Sequence, residues 1–203
     1  MKLIDYHNGA LATCKDLGGP IGDLGHSQIG MTSEYLELQL AETQGHIKEE
    51  LGDLSYYIPV GCRALGITLD DLMRKHLGRL GFTFEGHEIT AAQVQACVPP
   101  ELLDGRSFHV QTHAVRSLGR FVNATKRAAI YKKKTIDDLR PEFEAGLGGM
   151  LIFVAAVAER QGLTLAAVMR GNQDKLLTGE NALVGAGLTT RGHDRRVCAA
   201  RCR

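Results

Sequence analysis

The sequence predicts an all-α protein built from two tandem helical bundles, and three observations carry that expectation. Apolar residues recur at three- and four-residue intervals through most of the chain. Two carboxylate pairs, Glu34/Glu37 and Glu50/Asp53, each stand at i, i+3 on successive helical stretches. A segment of the first half recurs in register 96 positions later.

In chain order, residues 1–25 read as an irregular lead-in. They end in the breaker cluster Gly18-Gly19-Pro20-Ile21-Gly22-Asp23-Leu24-Gly25. No Gly-Lys-Ser/Thr follows, so these glycines do not make a phosphate cradle. From His26 to Thr43 the pattern is helical. Ile29, Leu36 and Leu40 form its core stripe, with Glu34 and Glu37 on a shoulder. Gly45 breaks the pattern. A second helix is expected from His46 to Leu65, with Ile47, Leu51, Leu54, Ile58, Cys62 and Leu65 inward and Glu50, Asp53 and Tyr57 in an adjacent row. Pro59 is expected to kink it. A third helix opens on Thr68 as N-cap, with Asp70 and Asp71 in the positive first turn, and Gly81 ends it. These helices make the first bundle, residues 26–81.

Residues 82–108 read as a linker. Phe82 to Ile89 suit a short extended piece, and Pro99-Pro100 and Asp104-Gly105 mark turns. The second bundle then spans 109–177. Leu51-Gly52-Asp53 is echoed by Leu147-Gly148-Gly149, and Leu65-Gly66-Ile67-Thr68-Leu69 by Gln161-Gly162-Leu163-Thr164-Leu165. Leu72-Met73 is echoed by Val168-Met169 at the same offset. The helix before them matches at an offset of 86, so the second copy has a longer connection, holding Lys132-Lys133-Lys134. A flexible, Arg-rich tail is expected over 178–203.

Net charge is +1, which gives no field to draw nucleic acid or a membrane surface, and neither is an expected partner. The five cysteines are scattered with no CxxC pair, which argues against a disulfide framework or a zinc knuckle. No apolar leader opens the chain and no run approaches a membrane span, so the expected location is a reducing cytoplasm.

The carboxylates carry the chemistry. A lone E-x-x-E is ordinarily a solvated helix face. Here a second pair follows after twelve residues, and two antiparallel helices would bring four hard oxygen ligands to one point. That donor set suits Mg²⁺, with Mn²⁺ as the alternative. The second copy replaces the four acids with Arg120, Asn123, Gly146 and Gly149. It keeps the apolar skeleton of Leu147, Leu151, Val154, Val157 and Ala158 but cannot bind the same ion.

The pattern E-x-x-E, twelve residues, E-x-x-D resembles the signature of the MazG-like all-α nucleoside triphosphate pyrophosphohydrolases. Lys48-Glu49-Glu50-Leu51-Gly52-Asp53-Leu54-Ser55-Tyr56-Tyr57 looks like that family's second metal helix. Leu65-Gly66-Ile67-Thr68-Leu69-Asp70-Asp71-Leu72-Met73 looks like its following turn and helix. The resemblance covers residues 26–80, with a degenerate copy over 112–177. It implies two MazG-like bundles packed as a pseudo-dimer, monomeric or as a homodimer. It also implies hydrolysis of an NTP or dNTP to the monophosphate and pyrophosphate. Glu34, Glu37, Glu50 and Asp53 would then bind Mg²⁺, one of them doubling as general base. The family's Asn and Lys near the end of the last helix are matched by Asn172 and Lys175 in the second copy, where the first has His76 and Arg79. A site shared between the copies follows, with Tyr57 against base or sugar and Lys126 and Lys132 as phosphate contacts. Alternatives are a dUTPase-like enzyme, a phosphoribosyl-ATP pyrophosphohydrolase, or a non-catalytic nucleotide-binding regulatory protein. A di-iron carboxylate protein is disfavoured because no Glu-x-x-His accompanies the pairs.

Overall fold

The computed structural model of the chain describes residues 1–178, and their regular structure is helical throughout: eight α-helices, with no strand among the described residues. Helices α2 (Pro20–Leu40) and α3 (Gln44–Leu65) form one hairpin, and α6 (Ser107–Thr125) and α7 (Arg140–Arg160) a second. The hairpins pack α2 on α6 and α3 on α7. The helix after each hairpin lies across the other one: α4 (Leu69–Gly78) packs on α7, and α8 (Leu165–Thr178) on α3. That crossing places α8 over the carboxylates of α3.

Local chemistry fixes the helix ends. The Thr43 hydroxyl accepts from the His46 amide to start α3, and Gly66, at φ 63°, ends it in the left-handed conformation that a Cβ disfavours. Thr68 and Asp71 form a reciprocal capping box on α4. Pro59 lies inside α3 without ending it. The expected inward stripe of α3 is buried from Leu51 to Leu65, and Ile47 is half-buried.

Helix α7 is the centre of the core, buried on nearly every side from Phe143 to Ala156. The stretch Asp137–Arg160 is 24 residues long and contains an 18-residue window of mean hydropathy 1.4, long and apolar enough by length and composition to cross a membrane, contrary to the sequence expectation. Its most apolar window is 78% buried inside the protein. A helix apolar all round is what the middle of a helical bundle requires.

Three further expectations are corrected. The lead-in is not irregular: α1 (Leu3–Thr13) buries Leu3, Tyr6, His7 and Ala10, an i, i+3, i+4, i+7 row, against α3, α4 and α8. Only Cys14 to Gly19 separate it from α2, where Pro20 opens the helix. The linker is also structured, because α5 (Ala91–Ala96), with a Thr90/Gln93 capping box, packs on α7 and α8.

The stripe Ile29, Leu36 and Leu40 does not face the core. These residues are 71%, 57% and 76% exposed, while Leu24, Ser27, Gly30, Met31 and Leu38 face inward. Periodicity finds a stripe, but the partner helix selects which face is buried, and α3 takes the face with small residues. There the Ser27 hydroxyl donates to the Tyr57 carbonyl at 2.7 Å. The Arg-rich segment expected over 178–203 lies, beyond Thr178, outside the described residues.

Candidate metal centre

Glu34 on α2 and Glu50 and Asp53 on α3 each offer a carboxylate oxygen, and the three oxygens lie within 4.8 Å of one another. The i, i+3 spacing puts Glu50 and Asp53 on one face of α3, and the α2–α3 hairpin brings Glu34 to it. Glu37 is exposed one turn beyond Glu34 and stands outside the cluster, near enough for its charge to act on Glu50. Sequence reasoning placed four acids together; the fold groups three, with the fourth at the rim.

Electrostatics within the cluster are those of crowded like charges. Burial, and then the charge of Asp53, push the Glu34 carboxyl up to about 7, against a smaller opposing bond from Ser33. Burial and the charges of Glu37 and Asp53 raise Glu50 as well. Glu50 is only 5% exposed; its Oε1 lies 2.9 Å from His46 Nε2, and its Oε2 is buried without any hydrogen-bond partner. An orphan carboxylate oxygen among carboxylates is a poor arrangement for a bare protein. It fits a hard divalent cation, which wants oxygen ligands and keeps waters in its remaining positions.

Helix α8 completes the site from the other half of the chain. Asn172 Nδ2 donates to Asp53 Oδ1 at 2.9 Å, and Lys175 Nζ donates to Asp53 Oδ2 at 2.5 Å and to Glu49 at 2.8 Å. Burial alone would lower the Lys175 ammonium, but the bonds to Asp53 and Glu49 outweigh it and hold it raised. The fully buried Tyr6 hydroxyl donates to Asn172 Oδ1 at 2.9 Å. Tyr6, Asn172 and Asp53 thus form a chain that fixes the amide with its NH₂ toward the carboxylate. Close approach of α8 depends on Gly52, where a Cβ would lie 3.0 Å from the Asn172 Cβ.

A cavity of about 330 Å³ opens over the cluster, with Glu34, Asp53 and Lys175 on its walls. Tyr57 lines it too, its ring edge-on to His26 at 5.4 Å between centroids. A Cβ at Gly30 would come within 2.2 Å of the Tyr57 ring, so this glycine gives the ring its place against α2. Of the predicted site residues, Glu34, Glu50, Asp53, Tyr57, Asn172 and Lys175 are brought together. Lys126 and Lys132 are not: Lys126 stands 5.7 Å from the Tyr131 ring centroid, and Lys132 is exposed in the connection to α7.

Sequence reasoning missed Tyr6 on α1, and Lys15 and His26, which also line the cavity. The apolar period of α1 was present in the sequence, but nothing local marks Lys15 or His26.

In the second hairpin the corresponding positions are closed. A Cβ at Gly146 would fall 2.8 Å from the Phe121 Cβ, and one at Gly149 2.2 Å from Ser117 Oγ. No carboxylate fits where α6 and α7 approach this closely, so the ligands lost from the sequence leave no space behind.

Comparison with known proteins gives no lead: no protein-family model, curated protein or solved structure matches this chain.

Proposed function

We propose that the protein is a Mg²⁺-dependent nucleoside triphosphate pyrophosphohydrolase of the MazG-like kind, with Mn²⁺ as an alternative ion, acting on an NTP or dNTP. The observation that carries this reading is one cavity walled by a carboxylate cluster, an ammonium and an aromatic ring. Those three groups match the three parts of a cation-bound nucleotide. Packing of α4 on α7 and α8 on α3 supports reading the two hairpins as fused halves of a pseudo-dimer that shares one site.

Glu34, Glu50 and Asp53 would hold the cation through carboxylate oxygens. Bound there, Mg²⁺ would neutralise phosphate oxygens and order water. Lys175 leaves Asp53 for a phosphate oxygen, and Tyr57 lies against the nucleoside. In hydrolysis a water oxygen bonds to the α-phosphorus as the bond from that phosphorus to the bridging oxygen breaks. The water proton passes to a carboxylate oxygen of the acid set, and pyrophosphate departs with the bonding pair.

Product chromatography after incubation with Mg²⁺ and each NTP and dNTP tests the proposal. Monophosphate and pyrophosphate in equal amounts, abolished by Glu50→Gln, is the expected result. Mg²⁺ binding without turnover of any nucleotide would overturn it in favour of phosphoribosyl-ATP hydrolysis or a regulatory protein.

A further inference from the structure

The face of α6 that corresponds to the acid-bearing face of α2 carries the opposite charge. At the offset of 86 residues, Asp23, Ser27, Gly30 and Glu34 become His109, His113, Arg116 and Arg120. At i, i+4, i+7 and i+11 these four side chains lie along one stripe of α6. Both arginines are exposed, and neither forms an ion pair among the described residues, in contrast to Arg127, paired with Glu142, and Arg140, paired with Asp137.

A second cavity, of about 410 Å³, opens in front of this stripe, walled by Phe108, His109, His113 and Arg116. Glu101 is the one carboxylate in its lining, and the nearby Asp104 is held by Arg106 at 2.6 Å and faces His109 at 3.4 Å. Phe108 at the edge is 75% exposed, a large aromatic surface left to water. Arginines one turn apart match the oxygens of a phosphate group, and an exposed ring offers a stacking surface to a base.

We propose that this cavity is a metal-independent nucleotide-binding site, with the base laid against Phe108 and phosphate held by Arg116 in its wall and by Arg120, which stands outside the lining one turn further along α6. The first cavity is acidic and needs a cation before it can hold phosphate. The second supplies the positive charge itself. His113 and His76 sense the same field: burial lowers both, and Arg120 lowers both further, which places the arginine's charge over this end of the bundle.

The site is independent of the proposed catalytic activity and is tested without Mg²⁺. AMP and inorganic pyrophosphate are titrated calorimetrically into the full chain in EDTA. One AMP per chain is expected, weakened about tenfold or more in Arg116→Ala and in Arg120→Ala, since each removes a charge-assisted hydrogen bond. Phe108→Ala should weaken AMP and leave pyrophosphate unchanged. Lys175→Ala, in the first cavity, should leave both ligands unchanged. Phe108, Arg116 and Arg120 are all exposed, so unchanged thermal midpoints verify folding. Absence of AMP binding in EDTA overturns the proposal. So does binding that survives both arginine substitutions and is lost in Lys175→Ala.

Discussion

Replacing Glu34 with Gln removes one charge from the crowded cluster, and the stability of the metal-free protein should respond in a pH-dependent way. The Glu34 carboxyl lies at about 7 in the fold against an ordinary 4.5. The difference of 7 minus 4.5, at about 1.36 kcal/mol per pH unit, gives roughly 3 kcal/mol at most. Partial exposure reduces this to about 1.5–3 kcal/mol. A carboxyl whose folded value is raised contributes its stability below the unfolded value and loses it as pH climbs through the folded one. Glu34 is therefore neutral and harmless near pH 4.5, and charged and destabilising above about 7.

Buried histidines tilt the wild-type curve the other way, His76 above all, held down to about 4 mainly by burial. The informative quantity is the difference between variant and wild type. In EDTA, Glu34→Gln should match wild type at pH 5 and exceed it at pH 8. For a chain of 203 residues the gain corresponds to about 3–10 °C in thermal midpoint. Millimolar Mg²⁺ should reverse that order, because the cation binds only the intact acid set. Differential scanning calorimetry at pH 5 and pH 8, with EDTA and with Mg²⁺, measures all four conditions. A variant no more stable than wild type at pH 8 in EDTA would refute the argument that burial, and then the charge of Asp53, make the ionised Glu34 costly.

Other perturbations probe the rest of the site. Tyr6→Phe leaves Asn172 Oδ1 without its buried donor; chemical denaturation should show a loss of about 1–3 kcal/mol, and calorimetry a weaker Mg²⁺ affinity. Gly30→Ala forces the Tyr57 ring from its place, so nucleotide affinity should fall while Mg²⁺ affinity holds, with a stability cost of about 1–3 kcal/mol. Lys175→Ala should raise KM for the nucleotide and tighten Mg²⁺ binding in its absence, since the ammonium and the ion compete for Asp53. Unchanged values for both would sink the idea of a site shared between the two halves.

Much of this protein can be read along the chain. The period of the apolar residues, the Thr68 cap and the Gly66 stop are local signals, and local hydrogen bonding and backbone sterics suffice to produce the elements they mark. The acid pairs are local too, because i, i+3 spacing places Glu50 and Asp53 on one face wherever α3 packs. What the sequence left open depends on which surfaces meet. Ile29, Leu36 and Leu40 formed a valid stripe, yet α3 took the neighbouring face of α2, because Ser27 and Gly30 there let Tyr57 and its backbone come close.

Separation along the chain hides the rest. Tyr6 meets Asn172 across 166 residues, and Asn172 meets Asp53 across 119, so no window of sequence contains either bond. The sequence by itself determined the helices that carry the repeat, though not α1 or α5, together with the acids and the loss of those acids in the second half. Tertiary structure alone decided that Glu37 stands apart from the other three, that Lys126 and Lys132 lie elsewhere, and that α8 closes over α3. A side chain's period is set by the helix that carries it, whereas its partners are set by helices hundreds of atoms away along the backbone.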